Sequence, residues 1–236
     1  MSHFPYQYTY LLIDFFTVII CFIFSFHKKI NFAAHFSSFI KAGIIVAIPF
    51  IIWDIWFTQQ GVWWFDTRYT TGLQLYNLPI EEVLFFICIP FACVFTYYTL
   101  TKYINWDWTI RYNVPFMVIF GVCMVIVFTQ HHDLQYTAWT SALNALTMLV
   151  FLLYLKPPWV FRSFVIYLIL LPGFFLVNGI LTGSCLPSPV VNYNSDEFLN
   201  VRMVTIPIED SVYGYLLIVW NLWWFQFFES RTVFNA

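Results

Sequence analysis

A chain of 236 residues that is 61% hydrophobic and 9% charged has too little polar surface to close a water-soluble globule. Its net charge of -2 leaves no basic footprint, so nucleic acid is excluded as a partner. What remains is an all-α integral membrane protein in contact with the lipid bilayer, because about 20 mostly apolar residues take one helix across it.

The apolar runs predict seven spans, at residues 8–26, 39–57, 80–100, 113–129, 136–155, 161–181 and 208–228. No basic stretch precedes the first run, whereas Lys28 and Lys29 follow it, so it reads as a retained helix and not as a cleaved signal peptide. Lys28, Lys29, Lys41, Lys102, Arg111, Lys156, Arg162 and Arg231 all fall on one side of these spans. Only Arg68 and Arg202 fall on the other. The excess of cations marks the cytoplasmic face, so the N-terminus is expected outside and the C-terminus in the cytoplasm of a multi-pass protein of the cell inner membrane.

An internal repeat runs through these elements. Tyr8-Thr9 recurs as Tyr136-Thr137, and Pro79-Ile80-Glu81-Glu82 recurs as Pro207-Ile208-Glu209-Asp210, both at a spacing of 128 residues. Pro49 with Asp54 matches Pro172 with Asn178 less closely. The expectation is one membrane domain over 1–236, with a first three-helix repeat (1–105), a linker helix (106–130) and a second three-helix repeat (131–236). An odd linker keeps the two halves of this seven-helix bundle parallel.

Ionisable residues at a membrane span are costly, so the four carboxyls Glu81, Glu82, Glu209 and Asp210 are functional candidates. Each pair starts a helix just after a proline, where acids also suit the helix dipole. Structural capping explains one such motif well, and its recurrence in register explains less well. Adjacent helical residues point about 100° apart, so one acid can face a shared cavity while its neighbour hydrogen-bonds to it or to the loop. Desolvated carboxyls held close together do not all ionise, which leaves a proton donor beside a proton acceptor in one apolar pocket. Aromatic faces nearby can stabilise a cation. Trp53, beside the membrane-edge acid Asp54, is the better pocket candidate, while Trp63, Trp64, Trp223 and Trp224 read as interface belt.

The five cysteines form no CxxC pair, and the five histidines show no helical metal-ligand spacing, so no metal site is indicated. No glycine-rich phosphate loop is present, so no nucleotide cofactor is expected.

On the doubled Pro-x-Glu-Glu/Asp pattern at 79–82 and 207–210, and on the three-plus-three repeat, the sequence resembles the integral-membrane lycopene cyclases of the heterodimeric or fused type. That resemblance implies a fused form that acts without a partner subunit. It also implies a membrane-dissolved carotenoid substrate, lycopene, and a redox-neutral cyclisation of its acyclic ends to β-ionone rings with no cofactor. Glu81, Glu82, Glu209 and Asp210 would supply donor and acceptor, with Asp54, Arg68, Trp53 and Asn178 binding substrate or tuning the acids. A carotenoid end-group hydratase and an ε-type cyclase share the opening step, alkene protonation. A small three-one-three transporter shares the helix plan, but few polar residues line its mid-membrane path here. A microbial rhodopsin is excluded because residues 208–228 hold no lysine for a Schiff base.

Overall fold

The computed structural model describes residues 6–234; His3 and the side chain of Arg231 lie outside that description. It consists mainly of seven long helices: α1 (Thr9–Ser25), α2 (Phe36–Gln60), α3 (Ile80–Tyr103), α4 (Asn113–Gln130), α5 (Gln135–Val150), α6 (Val160–Leu181) and α7 (Ile208–Phe234). Among the described residues, six helical stretches are long and apolar enough to cross a membrane, those built on α1 to α6. The last helix is long enough but more polar, since it carries Glu209, Asp210, Asn221 and Gln226. The chain is a multi-pass membrane protein.

Helix ends follow local chemistry. Gly61, at φ 72°, closes α2 in the left-handed conformation that glycine adopts without penalty. Pro79 caps α3, where its missing N–H leaves no ladder bond unmade. Beyond Val150, α5 widens into a π turn over Phe151–Leu155, which Lys156 ends at φ 48°. Internal prolines Pro49, Pro90 and Pro172 sit in α2, α3 and α6, where neighbouring helices can re-satisfy the freed carbonyls.

The helical bundle carries one addition beyond its helices. Three short antiparallel ribbons order the loops at one end of the bundle. In the first, β1 (Trp63–Phe65) pairs with β4 (Val191–Tyr193), so that Trp63 faces Tyr193. The second pairs β2 (Gln74–Leu75) with β3 (Leu78–Pro79), and the third pairs β5 (Arg202–Met203) with β6 (Ile206–Pro207). Strands of two or three residues carry no readable periodicity, so sequence patterning does not reveal them.

The second and third ribbons are counterparts at the 128-residue spacing. Ile80 N–H donates to Leu73 carbonyl at 2.9 Å, and Ile208 N–H donates to Val201 carbonyl at 3.0 Å. Left-handed residues recur at the same spacing, with Gly72 and Asn200 ahead of the hairpins and Tyr76 and Val204 at their tips. Within the bundle, α1 packs on α3, α2 on α7 and α4 on α5. Polar ties join the helices: Asn144 of α5 donates to the Val212 carbonyl of α7 at 3.2 Å, Trp220 of α7 donates to Thr147 Oγ1 of α5 at 3.1 Å, and Tyr167 of α6 donates to the Ser211 carbonyl of α7 at 2.8 Å.

Candidate active site

Each acidic motif begins a helix directly after a hairpin, and the hairpin decides which acid turns inward. The backbone N–H of Thr71 donates to Glu81 Oε1 at 2.7 Å. Its counterpart, Leu199 N–H, donates to Glu209 Oε1 at 2.9 Å, and the Thr137 hydroxyl adds a bond of 2.7 Å to the same oxygen. The first acid of each pair is thus tied to the loop that precedes it. The second acids, Glu82 and Asp210, point the other way and line a common cavity.

That cavity has a volume of ≈ 630 Å³ and lies between α1, α3, α6 and α7, with a lining that is overwhelmingly apolar. Asp54, Glu82 and Asp210, from α2, α3 and α7, share its walls. Tyr10 of α1 donates to Glu82 Oε2 at 2.5 Å. Tyr136 of α5 donates to Asp210 Oδ1 at 2.6 Å, and Tyr193 of β4 donates to Oδ2 at 2.8 Å. The indole N–H of Trp63 donates to Asp54 Oδ1 at 2.5 Å. Asp54 Oδ2 has no hydrogen-bond partner, and the Glu82 carboxyl is its acidic neighbour. Two buried carboxyls set side by side do not both ionise cheaply, so such a pair favours holding one proton between them.

Around the acids, aromatic rings form a partial cage. Trp63 meets Tyr136 edge-on at 5.1 Å between centroids, Tyr136 stacks on Tyr193 at 6.1 Å, and Tyr213 lies 6.4 Å from Trp63. All four line the cavity. Burial, and then the neighbouring Asp210, hold the phenol of the loop residue Tyr193 well above its usual range, so it stays a hydrogen-bond donor.

Several sequence expectations change in place. Glu82, Asp210, Asp54 and Asn178 come together at the cavity, while Glu81 and Glu209 stand one step behind it. Trp53 is not on the cavity wall; it is buried among Phe50, Phe57 and Tyr213. Trp63, expected in the interface belt, is the indole that reaches Asp54, because strand pairing with β4 folds it back over the end of α2. Arg68 does not approach the acids: its guanidinium forks onto Asp66, with Nη2–Oδ2 at 2.6 Å, and reaches Ser188 Oγ at 2.6 Å. Those hydrogen bonds hold the Asp66 carboxyl below the usual carboxylate range. Arg68 therefore ties two loops together at the surface.

Four further residues carry polar chemistry at or near the acids: Tyr10, Tyr193, Tyr213 and Asp14. The tyrosines have no sequence signal apart from burial in an aromatic-rich chain. Asp14 does have one, being an acid inside the first apolar run. It is 2% exposed, both of its carboxyl oxygens lack a hydrogen-bond partner, and its charged neighbours are Glu82 and Glu81.

Comparison with known proteins places the chain in a family. The profile of the lycopene cyclase family matches residues 7–100 and 133–228, most of the chain. The bifunctional lycopene cyclase/phytoene synthase of Podospora anserina is 27% identical over 71 residues, which is 29% of this chain and 12% of that much longer protein. No solved structure matches the chain.

Proposed function

Since the chain belongs to the lycopene cyclase family, we propose that it converts the acyclic ψ ends of lycopene into β-ionone rings, giving γ-carotene and then β-carotene. The observation that carries this reading is the meeting of Asp54, Glu82 and Asp210 at a single apolar cavity. A hydrocarbon substrate needs such a lining, and alkene protonation needs an acid held in it.

The reaction is an intramolecular lyase or isomerase step that balances without a cofactor. The Asp54–Glu82 pair, sharing a proton, delivers it to the terminal C=C, whose electron pair forms the new C–H bond and leaves a tertiary cation. The next double bond attacks that cation, and a six-membered ring closes with the charge moved to a ring carbon. The faces of Trp63, Tyr136, Tyr193 and Tyr213 stabilise the charge. Asp210, both of whose oxygens accept from tyrosines, offers no proton and serves as the acceptor. Loss of a ring proton forms the β double bond, and the proton returns to the acid pair through the shared cluster.

Glu81 and Glu209 act as positioning residues that hold each hairpin against the acid that does the chemistry. On this reading the two three-helix repeats, 1–105 and 131–236, contribute unequally to one site, with 106–130 as the linker between them. The excess of cations at the end opposite the hairpins supports an outward-facing N-terminus and an inner-membrane location.

Expression in a lycopene-accumulating bacterium, followed by pigment chromatography, tests the assignment. Ring-bearing carotenoid is the expected product. Lycopene left unconverted at normal protein levels overturns the proposal, and a hydroxylated acyclic product assigns the hydratase chemistry instead.

A further inference from the structure

The acid cavity is long, and it is open on one side. Its wall runs from Thr9 to Cys21 along α1 and from Glu82 to Thr96 along α3. At 1.5 Å per residue those stretches span about 18–21 Å, with the carboxyls at one end. The helices on the open side, α1 and α6, barely touch. Phe16 of α1 and Leu176 of α6 line the cavity and are 64% and 66% exposed, more than an enclosed wall would leave them. Gly173 of α6 does the same, and a Cβ placed on it would meet nothing within 4 Å. A residue that lines a cavity and also faces outward marks an opening.

The surroundings of this opening decide what passes through it. It lies partway along two apolar helices, flanked by the exposed Phe15, Ile20, Leu168 and Ile169, where the surface meets hydrocarbon. Its rims are helical, so most backbone groups there are paired within their own helix. Inside, the volume lies within the roughly 300–1,000 Å³ usual for one small-molecule site, and the carboxyls sit at one end only.

We propose that the gap between α1 and α6 is a lateral door through which a linear polyene enters end-first from the bilayer interior, one end per visit. The inference rests on the cyclase reading for the identity of the polyene. With a single acid cluster, the two ends of a symmetric substrate react in separate visits. The monocyclic product therefore leaves through the door and returns with its other end leading.

Gly173→Trp closes the door from the rim, with Leu176→Trp as a second variant on the same helix. Two readouts apply to each, in membranes loaded with lycopene. One is the initial rate of ring formation at low and at saturating lycopene. The other, in a Glu82→Gln background that holds substrate without converting it, is the rate at which lycopene quenches protein fluorescence. Both variants, folded and at normal levels, are expected to lose at least tenfold in kcat/KM and in quenching rate, and γ-carotene is expected to precede β-carotene as a free species. Wild-type uptake rates in both tryptophan variants overturn the door. Wild-type protein that takes up lycopene without forming a ring sinks the cyclase reading alone, because the quenching rates still decide the door.

Discussion

The indole N–H of Trp63 lies 2.5 Å from Oδ1 of Asp54 and joins a loop ribbon to the end of α2. Trp63 sits on β1, whose partner strand carries Tyr193, a donor to Asp210. One ribbon therefore positions a hydrogen-bond donor on each of two acids. Trp63→Phe keeps an aromatic face in the cage but removes the donor to Asp54. A hydrogen bond to a charged group is worth about 1.5–3 kcal/mol, which corresponds to about 10–100-fold in rate. Cyclisation in isolated membranes should fall by that factor while the amount of folded protein holds. Unchanged turnover would place the catalytic proton away from Asp54.

The two acids of each motif should separate on substitution. On the proposed mechanism Glu82→Gln and Asp210→Asn remove the proton donor and its acceptor, and a loss of about 10²–10⁴-fold is expected for general acid–base groups. Glu81→Gln and Glu209→Gln keep an oxygen that can accept from Thr71 and Leu199 N–H, so each is expected to lose no more than a few-fold. Carotenoid yield per unit of folded protein measures all four. If Glu81→Gln fails as completely as Glu82→Gln while remaining folded, the division between inner and outer acid is wrong.

Much of this arrangement can be read from the sequence because the membrane imposes long apolar runs, and seven runs become seven helices within a few residues at each end. The helix starts at Ile80 and Ile208 are legible for a similar reason, since a proline followed by acids suits a first turn. The 100° offset between adjacent residues says that one acid of each pair turns inward. It does not say which, because that depends on where a loop N–H ten residues upstream comes to rest. Trp63 is illegible for the same reason. Its neighbour across the ribbon, Tyr193, is 130 residues away in the chain, and three residues of strand leave no pattern. Arg68 misleads because a cation near acids in sequence invites pairing, yet Asp66 is nearer in space and takes it.

The hairpin tips carry a removable strain. Val204 holds φ 61°, a left-handed conformation that is poor for a β-branched residue, and it is 81% exposed. Left-handed backbone costs a side-chain-bearing residue about 1–2 kcal/mol, and glycine returns roughly 0.5–1 kcal/mol of that in chain entropy. Val204→Gly should therefore stabilise the protein by about 0.5–1 kcal/mol, with ring formation unaffected. Thermal unfolding in detergent tests this, and a lower midpoint would mean that the tip side chain makes contacts that outweigh its backbone strain.

Asp14 poses the opposite problem, a buried group without a visible partner. It lies one helical turn below Tyr10, the donor to Glu82, and neither of its oxygens is hydrogen-bonded. A buried polar group left unsatisfied costs about 1–3 kcal/mol by mutational measures, so stability alone would favour an apolar side chain here. Asp14→Val, apolar and similar in size, should raise the unfolding midpoint by several degrees, at about 2–4 °C per kcal/mol for a chain of this length. Yet Glu82 and Glu81 are its acidic neighbours, and on the proposed mechanism a carboxyl beside the proton donor couples to its protonation. The same variant should therefore shift the pH profile of cyclisation and slow it several-fold even as the fold becomes more stable. A substitution that merely loosened the structure would lower both stability and rate; a rise in one with a fall in the other assigns Asp14 to the acid cluster.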